Sequence, residues 1–380
     1  MKKRLLFVIT QFYKGGAETS LLNLFYTLDP MRYDVDFLIL NQLEYQDATS
    51  LIELVPAWIH IYDVVKESKK RQFAEQIVKK IYRRIFHAET YGLSAMQAIK
   101  GKTYDVAFSF GEWLSPEFVA DKVEAKKKYV WVHIDLDKAD FVNKEELFKY
   151  DDKISKYIFV SKKSRQGAIK CWPRIENKTA IIHNFLNVKG ILEKAVKQID
   201  KRYEDTPYLL SVGNLREEKN YPRQVDVMHL LKEKGISAKW LCIGSTVNEK
   251  VYREVQEKIK GYQLEEDFIL CGADENPYRY MKRARAVMVL SDHESWSLVI
   301  SEAKILGTPV IATKTSGALE QISDRKTGIL VDFSSQSIAD DIELFLKDRQ
   351  LQQTIRSNLE LEKYNTVGIK EFENLVSELE

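Results

Sequence analysis

Short apolar, β-branched runs alternate along this chain with polar segments and with stretches whose apolar residues recur at helical spacing. The pattern is clearest at 286–313, where an apolar run at 286–290 predicts a buried parallel strand. A polar loop follows, and apolar residues at helical spacing predict a helix over 298–306 that ends at Gly307. A second strand is predicted from 310. The loop of this βαβ unit lies at the carboxyl end of a strand, where doubly wound sheets bind ligands.

The same alternation continues through both halves of the chain. Further strands are predicted at 4–10, 33–40, 104–110, 129–133, 157–161, 180–184, 208–213, 240–244, 268–272 and 328–331, with helices at 18–28, from 162 and over 335–380. Strands that alternate with helices predict an α/β protein with parallel sheets. A length of 380 residues favours two domains. The charged, strand-poor segment 186–206 is the predicted linker.

Two carboxylates in the 286–313 unit, Glu294 and Glu302, are candidates for ligand binding. Helical side chains lean toward the amino terminus, so Glu302 can reach back toward the loop that holds Glu294. The free amides near Ser297 and Leu298, at the start of the helix, predict an anion site. This arrangement suits a sugar nucleotide, with ribose at Glu302 and sugar hydroxyls at Glu294. An ordinary solvent-facing helix produces the same spacing by chance.

The context of the two carboxylates is that of a known family. The E-x7-E spacing is followed by GTPVIAT at 307–313, GGAE at 15–18 follows the first strand, and Lys219 ends the run VGNLREEK. In these features the sequence resembles the retaining GT-B glycosyltransferases of family 4, in the glycosyl transferases group 1. The resemblance covers nearly the whole chain and is strongest over 208–333.

The resemblance implies a particular domain organisation. GT-B proteins have two facing Rossmann-like, doubly wound domains with an interdomain cleft. We expect an acceptor domain at 1–190 and a nucleotide-sugar-binding domain at 206–350. We also expect a C-terminal helix, at about 358–380, that packs back on the first domain.

The resemblance also implies roles for individual residues. The expected catalytic residues are Glu294, His133, Lys219 and Arg216, with Arg216 replacing the cation that the family carries where Asn214 stands. Two cations beside a diphosphate would stabilise the leaving group. The expected donor-binding residues are Gly15, Gly16, Asn214, Gly272, Ser295, Trp296, Ser297, Leu298 and Glu302. By themselves, a histidine after a strand, a loop lysine and a Gly-Gly turn are more often structural.

The function that the resemblance implies is transfer of a hexose, with retention, from a nucleotide sugar such as a UDP-sugar. The acceptor would be a glycan or a lipid-linked sugar in bacterial-type surface polysaccharide synthesis. No cofactor and no metal are expected. The run Asp135-Leu136-Asp137 matches the D-x-D metal motif of the other large transferase fold, but three letters recur by chance. Two alternatives stay open: a nucleotide-sugar epimerase on the same fold, and a non-catalytic nucleotide-binding partner subunit.

Composition excludes several classes of protein. The net charge is +2, so a nucleic acid is not an expected partner. Cys171, Cys242 and Cys271 lie far apart, which argues against disulfides and structural zinc and fits a reducing compartment. The sequence shows no signal peptide and no apolar run long enough to span a membrane, so we expect a cytoplasmic protein.

The segment 66–102 is more basic than the rest, with ten Lys or Arg against three Glu. Its apolar residues recur every four positions at Phe73, Ile77, Ile81 and Ile85. This pattern indicates either an amphipathic helix on an anionic membrane surface or a helix packed on the sheet with a solvated basic face. The first alternative predicts peripheral association with the inner membrane face.

Overall fold

The structure, a computed structural model, describes residues 2–42, 49–64, 92–112, 115–137, 139, 142–362 and 367–377. The chain divides into two compact units. Unit 1 comprises Met1–Phe185 and Val367–Glu380, and unit 2 comprises Leu186–Thr366.

Strands and helices alternate along most of the described chain. The strands are β1 (Lys3–Ile9), β2 (Tyr33–Ile39), β3 (His60–Asp63), β4 (Tyr104–Phe110), β5 (Ala125–Val132), β6 (Lys156–Phe159), β7 (Thr179–Ile181), β8 (Tyr208–Val212), β9 (Lys239–Ile243), β10 (Phe268–Gly272), β11 (Ala286–Val289), β12 (Val310–Thr313) and β13 (Ile329–Val331). The helices are α1 (Gly16–Thr27), α2 (Gly92–Ala98), α3 (Ser115–Lys122), α4 (Lys144–Phe148), α5 (Lys162–Cys171), α6 (Val188–Ala195), α7 (Tyr221–Glu233), α8 (Glu249–Gly261), α9 (Tyr278–Met281), α10 (Leu298–Ile305), α11 (Ser316–Gln321), α12 (Ser335–Lys347), α13 (Arg349–Glu362) and α14 (Val367–Ser377).

Unit 1 is built on a parallel sheet in the order β3-β2-β1-β4-β5-β6-β7. Its interior strand β1 is apolar from Leu5 to Ile9 and is almost fully buried there, because parallel sheets are covered on both faces. The rings of Phe7 and Phe108 stack at 4.7 Å between centroids. Phe372 of α14 lies 5.6 Å from Phe108, so the C-terminal helix forms part of this core.

Unit 2 has a parallel sheet in the order β10-β9-β8-β11-β12-β13. This is the strand order of a Rossmann sheet, and it reverses direction between β8 and β11. Connections on the two sides of this point run opposite ways, so the loops after β8 and β11 border a crevice at the carboxyl edge of the sheet. The two candidate carboxylates follow β11, on this edge.

The segment 186–206, predicted as a linker, is helical instead and belongs to unit 2. It contains α6 and a short 3-10 turn at Lys201–Tyr203. Ile191, Ala195 and Ile199 recur every four residues and are buried in the unit 2 core. The many charges around them conceal this apolar stripe in the sequence.

Some boundaries also differ from the prediction. Helix α1 begins at Gly16, two residues early, so the first loop is shorter than expected. Strand β5 begins at Ala125, four residues before the predicted start. Lys126 and Lys127 in its first part are exposed to solvent, so this part lacks the apolar pattern by which a strand is predicted. Residues 66–91, which make up most of the basic segment, lie outside the described residues, so the predicted amphipathic helix is not described. No helix in the described part of the chain is long and apolar enough to cross a membrane.

Candidate active site

The loops after β8 (213–220, the β8–α7 loop) and after β11 (290–297, the β11–α10 loop) are joined by hydrogen bonds. The Asp292 amide donates to the Glu218 carbonyl at 2.8 Å. The Asp292 carboxylate accepts from the Asn220 side chain at 2.9 Å and from Arg223 at 2.6 Å. Arg223 also donates to the Leu290 carbonyl. These bonds hold together the two loops that border the strand-order reversal.

The turn into α7 depends on the backbone at Asn220. Asn220 has φ of 45°, in the left-handed region that asparagine tolerates better than most residues. Its side-chain oxygen accepts from the Arg223 amide and caps α7. The left-handed residue therefore ends the 3-10 helix Glu217–Lys219 and starts α7. Lys219, the last residue of the 3-10 helix, stays in the β8–α7 loop.

Two of the predicted catalytic residues bond each other. Lys219 Nζ donates to Glu294 Oε2 at 2.6 Å, and Ser291 Oγ donates to the same oxygen at 3.3 Å. The side chains are 26% and 16% exposed, so the ion pair is only partly screened by water. A cation and a carboxylate are thereby fixed at the crevice, one from each loop.

The start of α10 differs from the expectation in one respect. The Ser297 amide is not free, because it donates to Gln321 Oε1 at 2.9 Å. The Ser297 hydroxyl in turn caps α10 by accepting from the Ile300 amide. The amides of Leu298 and Val299 are the first two of the helix and have no intrahelical acceptor. The prediction that the Ser297 amide forms part of the anion site is therefore wrong, whereas the Leu298 amide keeps that geometry.

Glu302 lies in the second turn of α10 and is buried. Its Oε1 accepts from the Tyr278 hydroxyl at 2.9 Å. Burial, and then the Glu302 carboxylate, raise the pKa of Tyr278, so this phenol stays protonated as a donor. The bond holds the carboxylate in one place on the helix.

The other predicted residues of unit 2 lie on neighbouring loops. The Ser245 hydroxyl donates a hydrogen bond to Asn214 Oδ1 at 2.7 Å. Arg216 is exposed, and no ion pair or hydrogen bond of its side chain is found within the described ranges. Gly272 ends β10 with φ of 75°, and its carbonyl accepts from Gly244. Ser295 and Trp296 lie in the β11–α10 loop. The role predicted for Arg216 stays a prediction.

Sequence reasoning missed three residues that order this site: Arg223, Asp292 and Gln321. Arg223 and Asp292 are 69 positions apart in the chain, and Gln321 acts on Ser297 from a different helix. A single sequence carries no signal for such long-range pairs. A local indication is the N-x-P pattern of Asn220 and Pro222 at the start of α7, which places Arg223 in its first turn.

The predicted residues of unit 1 lie at the carboxyl ends of its strands. Gly15 is the extended N-cap residue of α1, and a Cβ added to Gly16 would meet no atom within 4 Å. His133 follows β5, and both ring nitrogens are buried without a hydrogen-bond partner in the described structure. Burial lowers the pKa of His133 to about 3, so the imidazole is neutral. Its ring centroid lies 4.6 Å from that of Phe110.

Glu112 is a further buried titratable group beside His133. Its carboxylate accepts from the backbone amide of His133 and connects the end of β4 with the end of β5. Burial raises the pKa of Glu112 to about 7, against the opposing effect of the His133 and Ile134 amides. The negative charge of Glu18, on α1, raises the pKa of Glu112 further.

The carboxylates of this protein do not gather into a metal centre in the part of the chain that is described. No group of three or more His, Cys, Asp or Glu side chains in the described ranges is arranged to hold a metal ion.

Comparison with solved structures identifies the fold. Anabaena HepE in complex with UDP-glucose is 17% identical, with a TM-score of 0.75, and the match covers 99% of this chain and 98% of that chain. HepE in complex with UDP gives 18% identity and a TM-score of 0.73, covering 100% and 99%. The prediction of a GT-B fold, with two α/β units, is confirmed.

Comparison of sequences identifies the domain within this fold. Residues 193–361 match the family described as Glycosyl transferases group 1. Unit 2 thus contains a region that matches a glycosyl transferases group 1 domain, in a chain with the GT-B fold. This confirms the predicted group and enzyme class, whereas membership of family 4 stays a prediction.

Curated relatives share part of the chain. One is the Campylobacter jejuni N-acetylgalactosamine-N,N'-diacetylbacillosaminyl-diphospho-undecaprenol 4-alpha-N-acetylgalactosaminyltransferase, 29% identical over 182 residues, or 47% of each protein. Another is the Staphylococcus aureus capsular polysaccharide biosynthesis glycosyltransferase CapM, 24% identical over 166 residues, or 43% of each. The chain thus matches about half the length of these relatives.

Proposed function

We propose that this protein transfers a hexose from a UDP-sugar, with retention of configuration, to a glycan or lipid-linked acceptor. The observation that carries the proposal is the arrangement at the strand-order reversal of unit 2. The Lys219–Glu294 pair, the first amides of α10 and the Glu302 carboxylate all lie on the loops and helix that follow β8 and β11. Strand order thus predicts a ligand at the place where these groups meet.

Each group matches one part of a UDP-sugar. The diphosphate suits the Leu298 and Val299 amides, which are hydrogen-bond donors at a helix start, and the Lys219 ammonium, which is a cation. Glu302 suits the ribose hydroxyls, since a carboxylate fixed by Tyr278 accepts two adjacent O–H groups well. Glu294 suits the hydroxyls of the transferred sugar. HepE binds UDP and UDP-glucose in its solved complexes, and this favours uridine over other nucleosides in the donor.

The chemistry is a displacement at the anomeric carbon. The bond between that carbon and the phosphate oxygen breaks, and its electron pair goes to the diphosphate. The acceptor oxygen bonds to the same face, and its proton passes to the departing phosphate, so the configuration is retained. Lys219 and the α10 amides stabilise the charge that develops on the leaving group. These protein groups donate hydrogen bonds to the diphosphate, so we propose that no metal or cofactor is needed.

The acceptor is proposed from the relatives. The C. jejuni enzyme is named for a diphospho-undecaprenol acceptor, and CapM is named for capsular polysaccharide synthesis. We therefore propose a glycan or lipid-linked sugar of bacterial-type surface polysaccharide synthesis. An acceptor on a lipid carrier fits peripheral membrane binding through the basic segment 66–102 of a protein that works on the cytoplasmic face.

The experiment is a donor and acceptor panel. UDP-sugars are first screened by thermal shift, since a bound ligand raises the apparent melting temperature. Donors that bind are then incubated with lipid-linked and free glycan acceptors, with and without EDTA. We expect transfer that requires an acceptor, yields an α-linked product from an α-linked donor, and persists in EDTA.

Other results of the panel would overturn parts of the proposal. Conversion of the donor to an epimer without acceptor would establish the epimerase alternative. Binding of UDP with no turnover on any acceptor would indicate the non-catalytic partner subunit. Loss of activity in EDTA with recovery in Mn²⁺ would refute the metal-free mechanism and direct attention to Asp135 and Asp137.

A further inference from the structure

Gln321, the last residue of α11, bonds the end of the β11–α10 loop through its whole amide group. Its Oε1 accepts from the Ser297 amide at 2.9 Å, and its Nε2 donates to the Ser297 carbonyl at 2.8 Å. The same nitrogen donates to the Ser301 hydroxyl at 2.7 Å. Gln321 is only 7% exposed, so water competes little for these bonds. One buried side chain thus fixes both backbone groups of the α10 cap residue.

The other end of the same helix contacts the start of that loop segment. The Gly317 amide donates to the Glu294 carbonyl at 2.8 Å. A Cβ added to Gly317 would lie 2.8 Å from Trp296 Cα and 2.9 Å from the Ser295 carbonyl carbon and oxygen. The backbone of α11 and that of the loop therefore touch, and only glycine allows this approach.

Helix α11 is itself held firmly. Thr315 caps it by accepting from the Ala318 amide, and Ala318 is fully buried. Lys304 of α10 donates to the Gln321 carbonyl at 2.9 Å. The segment from Glu294 to Ser297 is thus bonded at both ends to an element that is packed into the core. These contacts restrict the segment before a ligand arrives, so a ligand has less conformational entropy to remove when it binds.

This segment carries the groups on which donor binding depends. Glu294 is its first residue, and the first amides of α10 follow its last residue. Positional errors of about 1 Å in such groups can lower turnover roughly 100-fold, because reacting atoms need a narrow range of geometry. A small helix that fixes both ends at once would set the separation between the sugar site and the diphosphate site.

We propose that Gln321 and Gly317 are positioning residues, which hold Glu294 and the start of α10 in the geometry that binds and activates the donor. The proposal rests on the proposed function for its kinetic consequences. Its structural content, an ordered loop between Glu294 and Ser297, is independent of the reaction. Neither residue needs to touch the donor.

The first test replaces Gln321 by methionine, which keeps the length of the side chain and removes its hydrogen bonds. Gln336→Met is the matched control, because Gln336 is exposed and bonds Asp340 on α12. With UDP-glucose, or the donor selected by the panel, Gln321→Met should lower kcat about tenfold or more and raise the donor KM. The control should keep the wild-type values of both.

A second readout reports the loop without turnover. Trp296 lies in the segment itself, and its fluorescence is obtained by subtracting the spectrum of a Trp296→Phe protein from each spectrum. In the absence of ligand, Gln321→Met should shift the Trp296 emission to longer wavelength, since a released loop exposes the indole to water. The corresponding difference spectrum for Gln336→Met should match that of the wild type.

Gly317→Ala is the second variant, and it decides the question should Gln321→Met fail to fold. It keeps every hydrogen-bonding group and adds one methyl, so it should show the same change in kcat, KM and Trp296 emission. A lower melting temperature with unchanged kinetics and emission in both variants would show a purely structural role and overturn the proposal. Absence of transfer by the wild type would refute the proposed function alone, because UDP titration and the emission of Trp296 would still test positioning.

Discussion

Lys219 and Glu294 are bonded at 2.6 Å across the two loops that border the crevice of unit 2. A cation that is to bind a diphosphate thus already has a carboxylate partner. The pair is a fixed unit, because the β11–α10 loop is held by Asp292 and by α11. A donor that reaches Lys219 with its phosphate meets Glu294 at the same time, so the two residues should act together.

The first prediction concerns this pair. Lys219→Met should lower kcat on the order of 100-fold, because one cation beside the leaving diphosphate is lost. Glu294→Gln should lower turnover as well, and the double variant should lose less than the sum of the two effects, as expected for groups in contact. Kinetics of the four proteins, with urea unfolding to measure stability, give the coupling energy. Strictly additive losses would contradict a functional unit.

The second prediction concerns Tyr278 and Glu302. Tyr278→Phe removes one hydrogen bond to the carboxylate and should weaken UDP binding by about 1 kcal/mol. Glu302→Ala removes the acceptor itself and should cost about 1–3 kcal/mol. Tyr26→Phe is the matched control, since the Tyr26 hydroxyl donates to the Leu54 carbonyl at an exposed position of unit 1. Calorimetric titration with UDP measures all three, and equal affinities would exclude Glu302 from the nucleotide site.

The third prediction concerns the buried Glu112. Burial raises its pKa from 4.5 to about 7 in the folded protein, so the folded state holds this proton more tightly than the unfolded state does. The stability that it contributes is complete below pH 4.5 and is lost as the pH rises through 7. The loss amounts to about 3 kcal/mol. Glu112→Gln should therefore abolish this part of the pH dependence.

Urea unfolding of the full chain between pH 4.5 and pH 8 measures how Glu112 changes the free energy of unfolding. The control is Glu117→Gln, because Glu117 is exposed on α3 and its carboxylate accepts a hydrogen bond from the Tyr150 hydroxyl. The control should retain the pH dependence of the wild type. Parallel curves for all three proteins would show that Glu112 keeps its ordinary pKa.

The fourth prediction concerns the basic segment 66–102, most of which lies outside the described residues, and it rests on sequence alone. Each Lys or Arg near an anionic surface contributes roughly 1 kcal/mol, so four together should hold the protein on anionic liposomes at low salt. Replacing Lys79, Lys80, Arg83 and Arg84 by Glu should release it. Binding of the wild type should weaken as salt screens the charges.

Co-sedimentation with anionic and neutral liposomes measures this binding. UDP titration of the charge-reversed protein is the control, and its affinity should equal that of the wild type, because the proposed nucleotide site is built from unit 2. Equal sedimentation of the two proteins would favour the alternative of a helix packed on the sheet with its charges in water.

The sequence by itself determined the elements that depend on local interactions. The apolar run at 286–290, the helical spacing after it and Gly307 sufficed to predict β11, α10 and the end of that helix. Gly307 has φ of 67°, the left-handed conformation that glycine adopts without strain. Hydrophobic periodicity and helix stop signals depend on only a few neighbouring residues, so a single sequence is enough to detect them.

Only the tertiary structure decided how these elements combine at the site. The strand order of unit 2, the Arg223–Asp292 bond and the pairing of Lys219 with Glu294 all join residues distant in the chain. Long-range contacts have no local period, so a single sequence does not reveal them. The Ser297 amide shows the consequence, since helix geometry predicted it free, and a glutamine 24 residues away occupies it. A helix start defines which amides can bind an anion, and the packing around it decides which of them remain to do so.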